Sequence, residues 1–247
     1  MAINLSKKKK IILAVIAVLV FGIGIFLITR KPKESQEEVG NLPTQTQPLT
    51  IDQMPFVRLT GKNNSHELNL YLESQQGLEN NKIEYELIYY PEDGPARGAL
   101  GEIELVDGKG EGSVLLGTCS RDVCRYDEGV TGGKVIISLA KNDRLHSFET
   151  KFAFLTSTTP YQTPEIEIST NQATIIVLEG GGLPKELADN QELLAGPYTI
   201  TAEAGEGEID FQLEEGSLLV WNQEGSWEEI EDHQDLSLGT YLLVSSQ

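Results

Sequence analysis

Between Lys10 and Thr29 the chain runs Ile-Ile-Leu-Ala-Val-Ile-Ala-Val-Leu-Val-Phe-Gly-Ile-Gly-Ile-Phe-Leu-Ile, from Ile11 to Ile28, without one charged or strongly polar side chain. At about 1.5 Å of rise per residue this run makes roughly 27 Å of helix, enough to cross a hydrocarbon core. A soluble helix of that length needs a polar face, and no periodicity in the run supplies one. Residues 11–29 therefore read as a transmembrane anchor, which commits everything after them to one side of a membrane. A cleaved signal peptide would leave a small-residue site after the apolar run, whereas Thr29-Arg-Lys-Pro-Lys33 follows.

Lys7 to Lys10 precede the anchor, and Arg30, Lys31 and Lys33 follow it. That small excess favours an N-terminus in the cytoplasm, with residues 1–10 as a basic cytoplasmic tail and the rest of the chain extracytoplasmic. Charge is partitioned in the same way. The first 33 residues hold seven Lys or Arg and no acid, so the remainder holds 12 basic against all 38 acidic groups, a net of −26. A surface this acidic repels nucleic acid and anionic lipid, which excludes both as partners of the extracytoplasmic part.

Residues 30–54, rich in Pro, Thr, Gln and Glu, have almost nothing to bury and read as a flexible stalk. Beyond them, short runs alternate in polarity between turn signals. Glu67–Leu72, Lys82–Tyr90 and Lys134–Leu139 are the clearest; Phe56–Thr60, Ala99–Leu105, Gly112–Gly117 and Ser147–Leu155 are further candidates. With turns at Pro91–Gly94, Asp107–Gly110 and Thr131–Gly133, residues 55–155 are expected to form an immunoglobulin-like β-sandwich.

Thr156–Pro164 carries two prolines and no apolar pattern, and reads as a linker. Residues 165–247 again read as mostly β, with strands near Glu165–Ser169, Ala173–Leu178, Tyr198–Ala204, Glu208–Leu213, Leu218–Asn222, Ser226–Ile230 and Thr240–Ser245. A short helix is expected over Pro184–Leu194. Trp221 and Trp227 flank a hairpin turn and pack as a pair over the core, with a carbohydrate-stacking platform as the alternative.

The order of basic N-terminus, single anchor, Pro/Thr/Gln stalk and acidic β-modules resembles membrane-anchored surface proteins of bacteria, including those of candidate phyla. The closing Val220-Trp-Asn-Gln-Glu-Gly-Ser-Trp227 and Leu238-Gly-Thr-Tyr-Leu-Leu-Val244 are similar to the final hairpins of β-rich bacterial surface modules. The resemblance implies display at the cell surface and carries no catalytic residue with it.

Two cysteines, Cys119 and Cys124, are the only ones in the chain. Zinc needs about four ligands with closer cysteine spacing, and a redox centre needs a two-residue gap at a helix start, so neither chemistry fits. In an oxidising compartment the pair is expected to form a disulfide that pins a hairpin tip or surface loop, contributing about 2 kcal/mol. The alternative role for the ring is to present Arg121 and Asp122 to a partner. Asp122, Asp127 and Glu128 form an acidic group without the spacing of a calcium loop, and they read as solvated carboxylates.

No nucleophile elbow, zincin motif or phosphate loop occurs, so no enzyme activity, cofactor or metal site is assigned. The expected function is recognition or assembly at the cell surface, with a protein or cell-envelope partner and the membrane held through the anchor. Two alternatives stand beside it: a hydrolase of wall polymers using a carboxylate pair, and an accessory subunit of an envelope secretion or pilus machine.

Overall fold

Among the described residues, alternating polarity resolves into eighteen strands. They are β1 (Phe56–Lys62), β2 (Glu67–Glu73), β3 (Lys82–Tyr89), β4 (Arg97–Glu104), β5 (Lys109–Leu115), β6 (Gly117–Ser120), β7 (Val123–Tyr126), β8 (Gly132–Lys141) and β9 (Arg144–Leu155), followed by β10 (Tyr161–Gln162), β11 (Ile166–Ser169), β12 (Ile175–Glu179), β13 (Leu193–Thr201), β14 (Glu208–Leu213), β15 (Ser217–Trp221), β16 (Trp227–Ile230), β17 (Leu236–Ser237) and β18 (Thr240–Val244). The computed structural model describes residues 49–74, 82–121, 123–141, 144–171, 174–187, 191–203, 207–222 and 224–245. The expected cytoplasmic tail and transmembrane anchor, and the expected stalk up to residue 48, lie outside the described residues. Among the described residues no helix is long and apolar enough to cross a membrane.

The protein is mostly β, and all named strand pairs are antiparallel. A nine-stranded sheet runs in the order β16-β15-β18-β13-β12-β9-β8-β3-β4. Beside it are a three-stranded sheet, β1-β2-β5, a four-stranded sheet, β10-β11-β14-β17, and the β6-β7 hairpin. Strand β2 illustrates why the pattern works: Leu68, Leu70 and Leu72 are fully buried while Glu67, Asn69, Tyr71 and Glu73 alternate with them toward solvent.

Strands β12, β13 and β18 break the alternation with runs of buried residues, and β12 organises the interior. In β12, Ile175, Ile176, Val177 and Leu178 are all buried. Ile176 and Leu178 join a core with Leu68, Leu70, Leu87, Ile137 and Phe152, whereas Ile175 and Val177 join a second core with Leu155, Ile168, Tyr198, Ile200 and Phe211. Successive residues of a strand point to opposite faces, so the two cores lie on opposite sides of the large sheet at β12. The three-stranded sheet supplies one core and the four-stranded sheet the other.

A third, smaller cluster of Leu183, Leu219, Leu242 and Val244 also takes in Ile51, Leu187, Leu193 and Trp227. This packing explains why the expected helix over Pro184–Leu194 does not form. Leu193 and Leu194 already belong to β13, and Pro184–Leu187 is irregular chain that delivers Leu187 to the cluster.

Leu49 is buried in the first core, and a single 3-10 turn, Ile51–Gln53, follows it. The last residues of the Pro/Thr/Gln segment, Leu49 to Met54, thus lie against the strands. Gly182 makes that approach feasible. Its N–H donates to the Pro55 carbonyl at 2.8 Å, and a Cβ there would come within 1.9 Å of the Met54 carbonyl oxygen. Thr156–Pro164 contains a bridge between Thr156 and Thr159 and strand β10, while β9 pairs directly with β12 from Leu155–Ile175 onward.

Candidate functional site

The two cysteines sit opposite each other in the β6-β7 hairpin and are joined by a disulfide. Ser120 pairs with Val123, which leaves a two-residue tip at positions 121 and 122, and Arg121 adopts the left-handed conformation (φ 48°) that such tight hairpin turns require. Arg121 is exposed, as is Val123; Asp122 lies outside the described residues.

Contacts concentrate at the base of this hairpin. The His66 and Tyr126 rings stack at 4.4 Å, and Asn63 Nδ2 donates to the Tyr126 hydroxyl at 3.0 Å. Leu116 N–H donates to the His66 carbonyl, and Asp127 N–H to the Leu116 carbonyl. The Asp127 carboxylate accepts from the Tyr89 hydroxyl at 2.7 Å and pairs with the Arg97 guanidinium, with its side chain only 7% exposed. Burial, then the hydrogen bond to Asp127, pushes the Tyr89 phenol up to about 12. Asp127 is therefore an inward structural acceptor and not the solvated carboxylate expected from the sequence. Among the described residues no three His, Cys, Asp or Glu side chains gather where a metal ion would sit.

With the base fixed by these contacts, the disulfide acts mainly on the tip. Replacing both cysteines by serine is expected to remove about 2 kcal/mol of local constraint. Hydrogen exchange should rise across Thr118–Arg125 and stay unchanged in β2 and β5; acceleration throughout β2 and β5 would show that the bond supports the fold as a whole.

A second region has the shape of a ligand site. A cleft of about 460 Å³ lies between the outer side of β1-β2 and the strands β13, β15 and β18. Phe56, Arg58 and Thr60 come from β1, and Tyr71 and Glu73 from β2. Thr199, Thr201 and Thr240 supply hydroxyls, while Trp221, Pro184 and Leu238 supply apolar surface.

The polar groups are held by their neighbours. Arg58 faces Tyr71 across the β1-β2 pair, its guanidinium carbon 4.7 Å from the ring centroid. The Tyr71 hydroxyl donates to Glu73 at 2.7 Å, and Lys109 Nζ lies 3.0 Å from the other Glu73 oxygen. Burial alone would lift the Glu73 carboxyl, but these two donors outweigh it and hold the group below the usual carboxylate range. Burial, together with the bond to Glu73, raises the Tyr71 phenol. Thr199 and Thr240 are cross-strand partners with hydroxyls 3.3 Å apart, and the Thr201 hydroxyl donates to the Leu59 carbonyl.

Trp221 enters this cleft from a hairpin whose turn is fixed by one side chain. Asn222 Oδ1 accepts from Glu224 N–H at 3.1 Å and from Ser226 N–H at 3.0 Å. Trp221 and Trp227 pair directly across the strands, rings 5.3 Å apart at 62°. Trp227 packs on the third core and donates through Nε1 to the Lys185 carbonyl at 3.0 Å, while Trp221 lines the cleft.

Arg121 and the cysteines are thus placed on a rigid finger, and the cleft is built from residues that the sequence did not bring together. A weak signal for it existed in the adjacent polar–aromatic positions Arg58 and Tyr71, but their pairing depends on register. No protein-family profile matches this chain, and neither a curated protein nor a solved structure is similar to it.

Proposed function

We propose that this chain is a single-pass, N-in membrane protein that displays an immunoglobulin-like sandwich and a second β-rich module outside the membrane, where they bind a protein or cell-envelope partner. The cleft carries this reading. Its volume, about 460 Å³, falls in the range of ligand sites, and its walls come from paired strands whose backbones need not reorganise on binding. The anchor confines the module to the membrane surface, where a partner meets it at raised effective concentration.

Binding fits the cleft better than hydrolysis does. Glycoside cleavage uses two carboxyl groups, one of them kept protonated, and Glu73 is the single carboxylate among the lining residues. Both of its oxygens are engaged by donors, and its carboxyl is held below the usual range, which favours the ionised form.

Two measurements test the proposal. In a bacterial host making the full chain, Cys119 and Cys124 should react with a thiol reagent only after reduction, and protease added to spheroplasts should digest the β-rich part. The full chain in nanodiscs should also sediment with isolated cell envelopes, and Arg58→Glu should weaken that association. Free thiols with protease protection would overturn the topology; sedimentation indifferent to Arg58→Glu would remove the cleft as the binding site.

A further inference from the structure

Resting on the reading of the cleft as a binding site, we propose that its ligand is a saccharide chain, held with one sugar face against Trp221 and its hydroxyls on the threonine floor.

Three features of the lining point to this chemistry. Trp221 offers an aromatic surface of the kind that takes the C–H face of a pyranose, and Trp227 beneath it fixes the ring. Thr60 adds a half-buried hydroxyl to the lining, and the Thr199–Thr240 hydroxyl pair, bonded to each other, keeps acceptor lone pairs for a ligand hydroxyl. Arg58 and Glu73 place a forked donor and an ionised acceptor on the same wall, the pair of groups that neighbouring sugar hydroxyls satisfy together.

The competing occupants fit less well. A peptide adding as a strand would need the outer edge of β1, but the Pro55 carbonyl there is taken by Gly182 N–H and the Leu59 carbonyl by the Thr201 hydroxyl. An acyl chain would cover the Arg58 guanidinium and the Glu73 carboxylate while offering neither a hydrogen bond, which is unfavourable. A polyanion is repelled by the net charge of −26 carried after residue 33, and among the cleft's lining residues the Arg58 cation is balanced by the Glu73 carboxylate, so no excess cation is offered to it.

The test uses the full chain in nanodiscs over immobilised chitin, cellulose, xylan, mannan and peptidoglycan sacculi. At least one of these should retain the protein saturably. Arg58→Ala, at an exposed position on a sheet face, and Trp221→Ala should each weaken retention by roughly tenfold, with the thermal midpoint of Arg58→Ala unchanged. Digestion of the retaining polymer with a glycoside hydrolase specific for it should abolish retention, and protease treatment should leave it intact.

Retention by none of the five, or retention that Arg58→Ala and Trp221→Ala leave untouched, overturns the saccharide proposal. The underlying reading is judged separately by the envelope sedimentation. If sedimentation responds to Arg58→Glu and is lost when the envelopes are treated with protease but not with glycoside hydrolases, the cleft binds a protein and only the saccharide assignment fails. If sedimentation ignores Arg58→Glu as well, both fail.

Discussion

Ile175→Ala and Ile176→Ala are each expected to destabilise the protein by about 2–5 kcal/mol, and both are expected to move a single shared unfolding transition. The two side chains are adjacent in sequence and almost fully buried, at 0% and 1% exposure, yet they enter different cores on opposite faces of the large sheet. Strand β12 that carries them is hydrogen-bonded to β9 on one side and to β13 on the other. Loss of packing on either face loosens a strand that the other face also needs. Independent modules divided at Thr156–Pro164 predict the opposite: both residues would belong to the second module, and each variant would move that module's transition while leaving the first core's in place. Trp221 and Trp227 fluorescence follows the second core's side of the chain, and hydrogen exchange in β2 and β5 follows the first. If Ile176→Ala accelerates exchange in β2 and β5 while the tryptophan transition stays in place, the shared transition is ruled out.

The strands most visible in the sequence are those with one wet face. In β2, β3 and the Lys134–Leu139 part of β8 a buried apolar side chain recurs at every second position, because an antiparallel sheet with one covered face imposes that period. The four strands that escaped, β6, β7, β10 and β17, are two to four residues long and have no continuous buried face. Their pairing is decided by a disulfide or by neighbours distant in sequence, and neither leaves a periodic trace. The expected helix at Pro184–Leu194 failed for a related reason. Leu187 and Leu193 are apolar because they meet the third core from irregular chain and from the start of β13.

The hairpin finger was legible because it is local: two cysteines and the residues between them fix their own geometry. The cleft was not, since its walls come from β1 and β2 near one end of the described chain and from β13, β15 and β18 near the other. Each contributor looks ordinary alone. Thr199 and Thr240 are lone threonines of separate strands until the register sets their buried hydroxyls side by side, and Tyr71 is one more half-exposed aromatic until Arg58 lies over it. Asp127 shows the converse: an acidic background invited a solvated reading, whereas a buried tyrosine hydroxyl and an arginine claim the carboxylate.

Raising the pH from 10 to 12 is expected to unfold the protein steeply. Tyr89, Tyr198 and Tyr241 are each 3% exposed or less, and burial, as the leading cause, pushes their phenols up to about 12. Tyr161 is raised further, by burial and then by its hydrogen bond to Glu179. In the unfolded chain these groups release their protons near pH 10, whereas the folded protein keeps them. Below that pH both states are protonated and the groups add no pH dependence. Between about 10 and 12 the folded state binds more protons than the unfolded one, so stability falls as pH rises, by at most about 1.4 kcal/mol per pH unit for each tyrosine. Lys82, Lys109 and Lys134 are raised by their carboxylate partners and act in the same direction, but these are exposed surface pairs and their share is small. The thermal midpoint should therefore drop in step with the appearance of tyrosinate absorbance. Tyr198→Phe should make that drop shallower, because one proton-binding group of the folded state is gone. Tyrosinate appearing well before any change in the thermal midpoint would mean that these hydroxyls reach water in the native protein, contrary to the tight packing of Tyr198, Phe211 and Tyr241 in the second core.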